Sequence, residues 1–145
     1  MPERASDEGS FLVTLYTGSR WNAGTTAEVF LQLIGQYGRS KFRCLWHQPS
    51  PAFQRGSIDC FLITTKKKLG DISSFKIRLN NDGKSPTWFL SRAEVEDMST
   101  RKSVHHLCTD LLIKSVFFLL QKSLHQKRCK KPQNSQQIGK TGDLD

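Results

Sequence analysis

The amino-acid sequence predicts an all-β fold, an antiparallel β-sandwich of two sheets with roughly four strands each. Apolar and polar residues alternate along several segments, which is the pattern of a half-buried strand. Turn signals recur at short intervals, and no helical period appears before residue 100. At 145 residues the chain is long enough for one core of this kind together with tails.

The first predicted elements are a disordered lead and two strands. Residues 1–9 are polar, whereas Phe11–Tyr16 is rich in β-branched and aromatic residues and stops before Gly18. From Thr26 to Leu33 apolar residues return at every second position. This predicts a half-buried strand with one mainly apolar face.

Four further segments complete the predicted sandwich. A turn over Gly35–Ser40 leads to a short strand at Phe42–Trp46, and the prolines that follow keep the next link irregular. Ile58–Thr65 is a strong strand candidate, and apolar and basic residues alternate over Phe75–Leu79. Trp88–Val95 supplies the apolar positions of another strand.

The apolar positions of these strands define the predicted core. One face of each strand is buried between the two sheets of a sandwich. A bulge is expected near Ser91 in the last of these strands. We expect the following side chains to be largely buried: Val29, Leu31, Ile63, Phe75, Ile77 and Trp88.

The C-terminal sequence has a different pattern. Between Cys108 and Leu124 apolar residues fall at the spacing of a helix face. The following sequence, QKRCKKPQNSQQIGKTGDLD, is polar and basic, and we expect it to be disordered. The predicted organisation is a disordered lead over 1–9, a sandwich over 10–112 and a basic tail over 113–145, helical at first and then disordered.

The charge pattern narrows the class of partner. The formal net charge is +9, to which residues 1–8 contribute −2, residues 9–98 contribute +5 and residues 101–145 contribute +6. A positive surface favours nucleic acid, anionic lipid or acidic protein, without choosing among them. The sequence has no apolar run of about 18 residues, so we do not expect this chain itself to span a membrane.

Candidate catalytic and metal-binding residues show no constellation. The cysteines Cys44, Cys60, Cys108 and Cys129 lack zinc-like spacing, and free thiols are favoured because no signal peptide precedes them. Ser57 lacks the Gly-x-Ser-x-Gly elbow of hydrolases, and the four histidines show no spacing typical of a metal site or a catalytic triad. We therefore predict a non-catalytic module and not an enzyme.

Short motifs in a defined order carry a resemblance to a known family. They are Thr17-Gly18, Gly24–Ala27, the spaced residues Phe53, Arg55, Ser57, Asp59 and Phe61, then Leu69-Gly70 and Ser85–Leu90. The motifs cover about residues 10–112. Through them the chain resembles a PLAT domain (polycystin, lipoxygenase, alpha-toxin), most closely the polycystin-like version. The resemblance implies a small β-sandwich whose loops meet membranes or protein partners.

Two departures from the family pattern affect a loop and the end of the domain. The Asn80–Gly83 turn follows Leu79 directly, about two residues earlier than in the family pattern. Because side chains along a strand alternate with a period of two, the loss of two residues does not change the face on which each side chain lies. Leu111 stands where the family has a core Trp, which would leave the core under-filled.

The loop that contains Arg20 and Trp21 is the first candidate lipid-binding site. An aromatic side chain on a loop beside a cation inserts readily at the lipid interface, because indole prefers the headgroup layer. Members of the resembled family use an exposed loop aromatic at this place. The alternative is that Trp21 folds back onto the edge of the sandwich.

The second candidate lipid-binding site is the turn formed by Lys66, Lys67 and Lys68. Each basic residue near an anionic leaflet contributes about 1 kcal/mol of attraction. These lysines form one patch with Arg20 and with the basic residues of Arg39–Arg43 if their loops share an end of the sandwich. The alternative is a solvated turn.

A calcium site at Asn81 and Asp82 is the one cofactor that the sequence suggests. Calcium requires about 6–8 oxygen ligands, and only one carboxylate is in view here. Calcium-binding relatives of the resembled family carry an acidic residue where this chain has Thr26. The alternative is a plain Asn/Asp-Gly turn, without calcium or any other cofactor.

The predicted function is a membrane-proximal module that binds anionic membrane lipids and protein partners. The resemblance implies a place on the cytoplasmic face of a polycystin-like, multi-pass membrane protein. The alternative is a protein-protein adaptor that does not meet lipid. An exposed Trp21 favours lipid, and a buried one favours the adaptor. Nucleic acid is not expected as a partner, since the strands lack an aromatic-basic platform.

Overall fold

A computed structural model describes residues 8–46, 51–80, 87–113, 116–120, 124–125 and 138–143. All regular secondary structure in these residues is strand. The strands are β1 (Gly9–Thr17), β2 (Glu28–Gly35), β3 (Gly38–Arg39), β4 (Arg43–Trp46), β5 (Ile58–Thr65), β6 (Ile72–Asn80), β7 (Trp88–Asp97), β8 (Ser103–Ile113), β9 (Val116–Leu120), β10 (Leu124–His125) and β11 (Ile138–Asp143). In this part of the chain no helix is long and apolar enough to cross a membrane.

The strands form two sheets that pack face to face, as predicted. Sheet A has the order β10-β8-β7-β1-β5, and sheet B has the order β4-β2-β6-β9 with β3 paired to β2. Neighbouring strands within both sheets are antiparallel. Strand β11 lies between the two sheets, parallel to β5 and antiparallel to β4.

The core lies between the inner faces of the sheets. All six side chains predicted to be largely buried are buried. Trp88 is fully buried, and its indole Nε1 donates a hydrogen bond of 2.9 Å to Thr17 Oγ1, which satisfies the polar atom of an otherwise apolar ring. The predicted bulge is confirmed, because the register of β7 against β8 shifts between Leu90 and Arg92.

Strand β2 is buried on both faces and not on one, which corrects the predicted half-buried strand. Phe30 and Gln32 lie on the face that alternation assigned to solvent. The guanidinium of Arg78 lies 5.2 Å from the centre of the Phe30 ring, and Gln32 Nε2 donates to Ser40 O at 3.0 Å. Neighbouring side chains and the Ser40 backbone therefore cover this face of the strand.

The C-terminal segment contains strands where a helix and then disorder were predicted. Val116–Leu120 pairs with β6 as β9, and Ile138–Asp143 forms β11. Five consecutive apolar residues fit a strand as well as a helix, so their period does not decide between the two. Hydrogen bonds along the edge of β6 favour the strand. Residues 1–7 of the predicted lead and residues 126–137 of the predicted tail lie outside the described residues.

Candidate functional site

The sandwich has two ends, and the predicted lipid-binding residues lie at both of them. Tyr16 pairs with Ile58 and Gly9 pairs with Thr65, so β1 and β5 run in opposite directions along the same length. The loop that follows β1 contains Arg20 and Trp21, and we call this the tryptophan end. The loop that follows β5 contains Lys66–Lys68, and we call this the basic end. The eight residues of β5 separate the ends by about 25 Å at roughly 3.3 Å per residue.

Trp21 stands at the tip of a tight turn at the tryptophan end. Ala23 N–H donates to Arg20 O at 3.1 Å, which closes a β-turn with Trp21 and Asn22 in its centre. Asn22 has φ of 72°, in the left-handed region that type II turns require and that Asn tolerates. The Trp21 side chain is 82% exposed, so the alternative in which it folds back onto the sandwich is wrong.

Backbone hydrogen bonds hold this turn against the sandwich. Phe89 N–H donates to Ala23 O at 2.9 Å, and Phe89 O accepts from Gly18 N–H at 2.8 Å. Ala23 itself is fully buried. Trp21 is therefore presented by a loop that is fixed at both sides, which lowers the entropy lost when its ring is immobilised.

The Phe53–Phe61 motif is a support for the tryptophan end and not a chemical site. Asp59 Oδ2 accepts hydrogen bonds from Phe53 N–H at 2.9 Å and from Ser57 Oγ at 2.8 Å. Phe53 has φ of 62° and packs its ring against Phe61 and Trp88, with centroid distances of 5.6 and 4.9 Å. Phe53 O then accepts from Thr25 N–H at 3.0 Å, so the motif positions the loop that carries Trp21.

Two cations lie near Trp21 in the described loops. The Arg20 guanidinium lies 4.7 Å from the centre of the Phe89 ring, and Arg20 is an exposed residue. Arg55 is exposed on the neighbouring loop, where Gly56 N–H donates to Gly18 O at 2.9 Å. Both residues thus belong to loops of the tryptophan end.

A wide and mainly apolar groove opens beside this turn. Its volume is about 820 Å³, and it lies between the loop from Asn22 to Glu28, strand β4 and the loop from Pro51 to Arg55. Leu45, Ala52 and Phe53 contribute apolar surface to it. Sequence analysis missed this groove, because its walls come from three segments that only the fold brings together.

The basic end brings the lysine turn together with the basic residues of Arg39–Arg43, as the sequence analysis considered, but not with Arg20, which lies at the tryptophan end. Lys66, Lys67 and Lys68 are all exposed, and the first two line a groove with residues Arg39–Arg43 of the other sheet. The Tyr37 side chain, 74% exposed, lies at the same end, with its ring against Gly70. Sequence analysis did not single out Tyr37, because the strand pairing that brings its turn beside this loop is not visible locally.

The tentative calcium ligands Asn81 and Asp82 lie outside the described residues. Strand β6 ends at the tryptophan end, where Asn80 Nδ2 donates to Glu28 Oε1 at 2.9 Å. Within the described ranges, no three His, Cys, Asp or Glu side chains come together in a metal-binding group. A calcium site therefore remains a prediction.

Two cysteines of the described part, Cys44 and Cys60, form no disulfide. Burial raises the pKa of the Cys60 thiol; its contact with Thr14 lowers that pKa, and the charges of Asp59 and Glu94 raise it further. Burial also raises the pKa of Cys44, with a further contribution from Glu28. Both groups are therefore poor nucleophiles at neutral pH, because the thiolate is the reactive form.

Comparison with known proteins gives a consistent family signal. The family model described as PLAT/LH2 domain matches residues 11–115. The human protein named polycystin family receptor for egg jelly is 44% identical over 119 residues, which is 82% of this chain and 5% of that protein. Mouse polycystin-1-like protein 3 is 39% identical over 103 residues, 71% of this chain and 5% of that protein. The chain thus spans about a twentieth of the length of these relatives.

Solved structures with the same fold include a lipoxygenase and an alpha toxin. A coral 8R-lipoxygenase, described as activated by calcium through a C2-like domain, matches with a TM-score of 0.71 and 22% identity over 77% of this chain and 17% of that chain. Alpha toxin from Clostridium absonum matches with a TM-score of 0.62 and 17% identity, over 84% of this chain and 33% of that chain. At these identities the likeness concerns the fold alone.

Proposed function

Since this chain belongs to the PLAT/LH2 domain family, we propose that it is a non-catalytic, membrane-proximal binding module. It binds anionic phospholipid headgroups with Trp21 and Arg20, on the cytoplasmic face of a polycystin-like membrane protein. The observation that carries the proposal is the 82% exposure of Trp21 at the tip of a fixed turn.

The chemistry of the tryptophan end suits the interface of a bilayer. An indole ring has a large apolar surface and one N–H donor, and it prefers the headgroup layer to either water or hydrocarbon. A lone exposed Trp contributes nothing to the core, whereas burying its ring in lipid removes apolar surface from water. Arg20 and Arg55 add attraction to anionic headgroups near the surface.

Lys66, Lys67 and Lys68 do not belong to this membrane-binding surface. They lie about 25 Å from the tryptophan end at the rise of a β-strand. Charge interactions through solvent are screened within about 8 Å at physiological ionic strength. These lysines therefore add little to the attraction between a bilayer and the tryptophan end.

Vesicle co-sedimentation with a matched aromatic control tests the proposal. Trp21→Ala is expected to weaken binding to phosphatidylserine vesicles about ten-fold at every salt concentration, equivalent to about 1.4 kcal/mol. Tyr37→Ala removes an exposed aromatic ring from the basic end and is expected to leave binding unchanged. If the unmutated chain fails to pellet with these vesicles at low salt, the lipid proposal is wrong.

Calcium is expected to have little effect on this binding. Thr26 stands exposed in the loop of the tryptophan end and offers a hydroxyl where a carboxylate would supply charge to a hard cation. Vesicle binding with calcium and with a chelator should therefore agree. A marked increase with calcium would instead support the site at Asn81 and Asp82.

The second candidate function is a protein-protein adaptor. The groove of about 820 Å³ beside Leu45, Ala52 and Phe53 favours it, because a concave apolar surface accepts side chains of a partner. An adaptor of this kind would show no vesicle binding at any salt concentration. Its partner binding would be weakened by a bulky substitution in the groove, such as Ala52→Trp, and not by Trp21→Ala.

A further inference from the structure

The groove at the basic end is lined by cations from both sheets. Its volume is about 220 Å³, and its lining consists of Arg39, Ser40, Lys41, Arg43, Thr65, Lys66, Lys67 and Leu69. Five of these eight residues are basic and none is acidic. Among the described residues no carboxylate forms an ion pair with Arg39, Lys66 or Lys67. The groove therefore favours an anionic occupant.

The groove continues a gap between the sheets that already holds an extended segment. Strand β11 lies in this gap between β4 and β5, and its last residue, Asp143, pairs in register with Arg43. Arg43 Nη2 donates to Thr64 O at 2.6 Å, so its side chain crosses from sheet B to β5 where the groove begins. The gap is thus one strand wide where β11 lies, and within the described residues the groove continues it at Arg43.

The edge of β3 is also suited to an extended ligand. Strand β3 pairs only with β2 within the described part of the chain, which leaves one edge of Gly38–Arg39 open. An open edge binds extended peptides through main-chain hydrogen bonds, and side chains beside it determine which peptides are accepted. Here the adjacent side chains are Lys41 and, across the groove, Lys66 and Lys67.

We propose that this groove binds an extended acidic segment of a partner protein. Main-chain hydrogen bonds to the β3 edge hold the segment, and Arg39, Lys66 and Lys67 pair with its Asp or Glu side chains. A headgroup of a flat bilayer fits the charge, but it offers no main chain to the strand edge. The proposal goes beyond the lipid-binding function and does not depend on it.

Fluorescence anisotropy with two peptides tests this proposal. The first probe is a fluorescein-labelled oligoglutamate peptide, and the second is the same peptide with every backbone nitrogen methylated, which keeps the charge but has no N–H to donate to a strand edge. The chain is expected to bind the oligoglutamate about ten-fold more tightly than the N-methylated peptide. Equal binding of the two peptides would overturn the extended, strand-paired occupant.

Matched charge variants locate the binding site. Lys66→Gln with Lys67→Gln is expected to weaken oligoglutamate binding about ten-fold. Lys76→Gln with Lys102→Gln removes the same charge from residues that do not line the groove and is expected to leave binding unchanged. An equal loss in both double variants would mean that net charge alone attracts the peptide and would overturn the proposal. Far-UV circular dichroism checks that all variants are folded.

Two further binding measurements distinguish this proposal from the lipid-binding function. Trp21→Ala is expected to leave oligoglutamate binding unchanged, because it lies at the other end of the sandwich. The Lys66/Lys67 double variant is expected to keep its affinity for phosphatidylserine vesicles. If that variant loses vesicle binding and the unmutated chain does not bind oligoglutamate, the groove is a lipid site and the proposal is wrong.

Discussion

At the scale of single residues, Asp59 holds the loops of the tryptophan end in place. Its carboxylate accepts from the backbone of Phe53 and from Ser57, and it is buried while doing so. Phe53 in turn occupies the left-handed region, which costs a non-glycine residue about 1–3 kcal/mol unless its surroundings hold it. The carboxylate and the aromatic neighbours of Phe53 supply that restraint.

Replacement of Asp59 by Asn is expected to destabilise the domain. Both hydrogen bonds end on the same carboxylate oxygen, and the amide oxygen of Asn can take its place without its charge. Bonds to charged groups contribute about 1.5–3 kcal/mol each, whereas neutral ones contribute about 0.5–1.5 kcal/mol. We expect the free energy of unfolding to fall by about 2 kcal/mol, measured by urea denaturation. Asp71→Asn changes an exposed carboxylate and serves as the control. Equal effects of both substitutions would contradict the role of Asp59.

Alkaline pH is expected to weaken the fold through Cys60. Burial raises the pKa of this thiol in the folded chain, whereas the unfolded chain has the ordinary value. The stability is fully present below the ordinary thiol pKa and falls as pH rises above it, since the unfolded state then releases a proton that the folded state keeps. Cys60→Ala should flatten the decline in thermal midpoint at alkaline pH. An unchanged slope in this variant would exclude the thiol as its cause.

At the scale of elements, strands with an alternating sequence were predictable and strands without alternation were not. Phe75 and Ile77 alternate with basic residues, so their face could be assigned before the fold was known. Val116–Leu120 is apolar throughout and has no such signal. Its strand conformation depends on the edge of β6, a partner distant in sequence, because β propensity follows the tertiary context.

Amide hydrogen exchange is expected to detect strand β9. Its residues pair with β6 from Ser74 to Arg78, so the amides that point toward β6 should exchange slowly. A helix would instead protect consecutive amides through the segment, and an unfolded segment would protect none. A pattern of alternate protection over Val116–Leu120 supports the strand, and either of the other patterns contradicts it.

At the scale of the whole molecule, the separation of the two ends depends on topology, which the sequence alone did not provide. The exposure of Trp21 was among the predicted outcomes, since a polar loop with Asn22 favours a turn at that point. The distance from Trp21 to Lys66 was not predictable, because alternation assigns faces to strands but does not say which loops share an end. One strand pairing, β1 with β5, places these residues at opposite ends.

Simultaneous occupation of the two ends is therefore expected. Chain bound to phosphatidylserine vesicles should still bind labelled oligoglutamate with the affinity of the chain in solution. The peptide should sediment with the vesicles only when the chain is present. Trp21→Ala should reduce this co-sedimentation in line with its about ten-fold weaker vesicle binding and leave peptide binding in solution intact. Displacement of the chain from the vesicles by the peptide would show that both ligands use one surface.

The length of β5 also sets the distance between the groove at the basic end and a bilayer to which Trp21 is proposed to bind. The groove then stands about 25 Å from the inserted ring at the rise of a β-strand, which is beyond a headgroup layer of roughly 5–8 Å. At physiological salt this height is about three screening lengths. In the proposed lipid-bound state we therefore expect no competition for the groove from anionic lipids of the same leaflet, and its ligand would come from the aqueous phase.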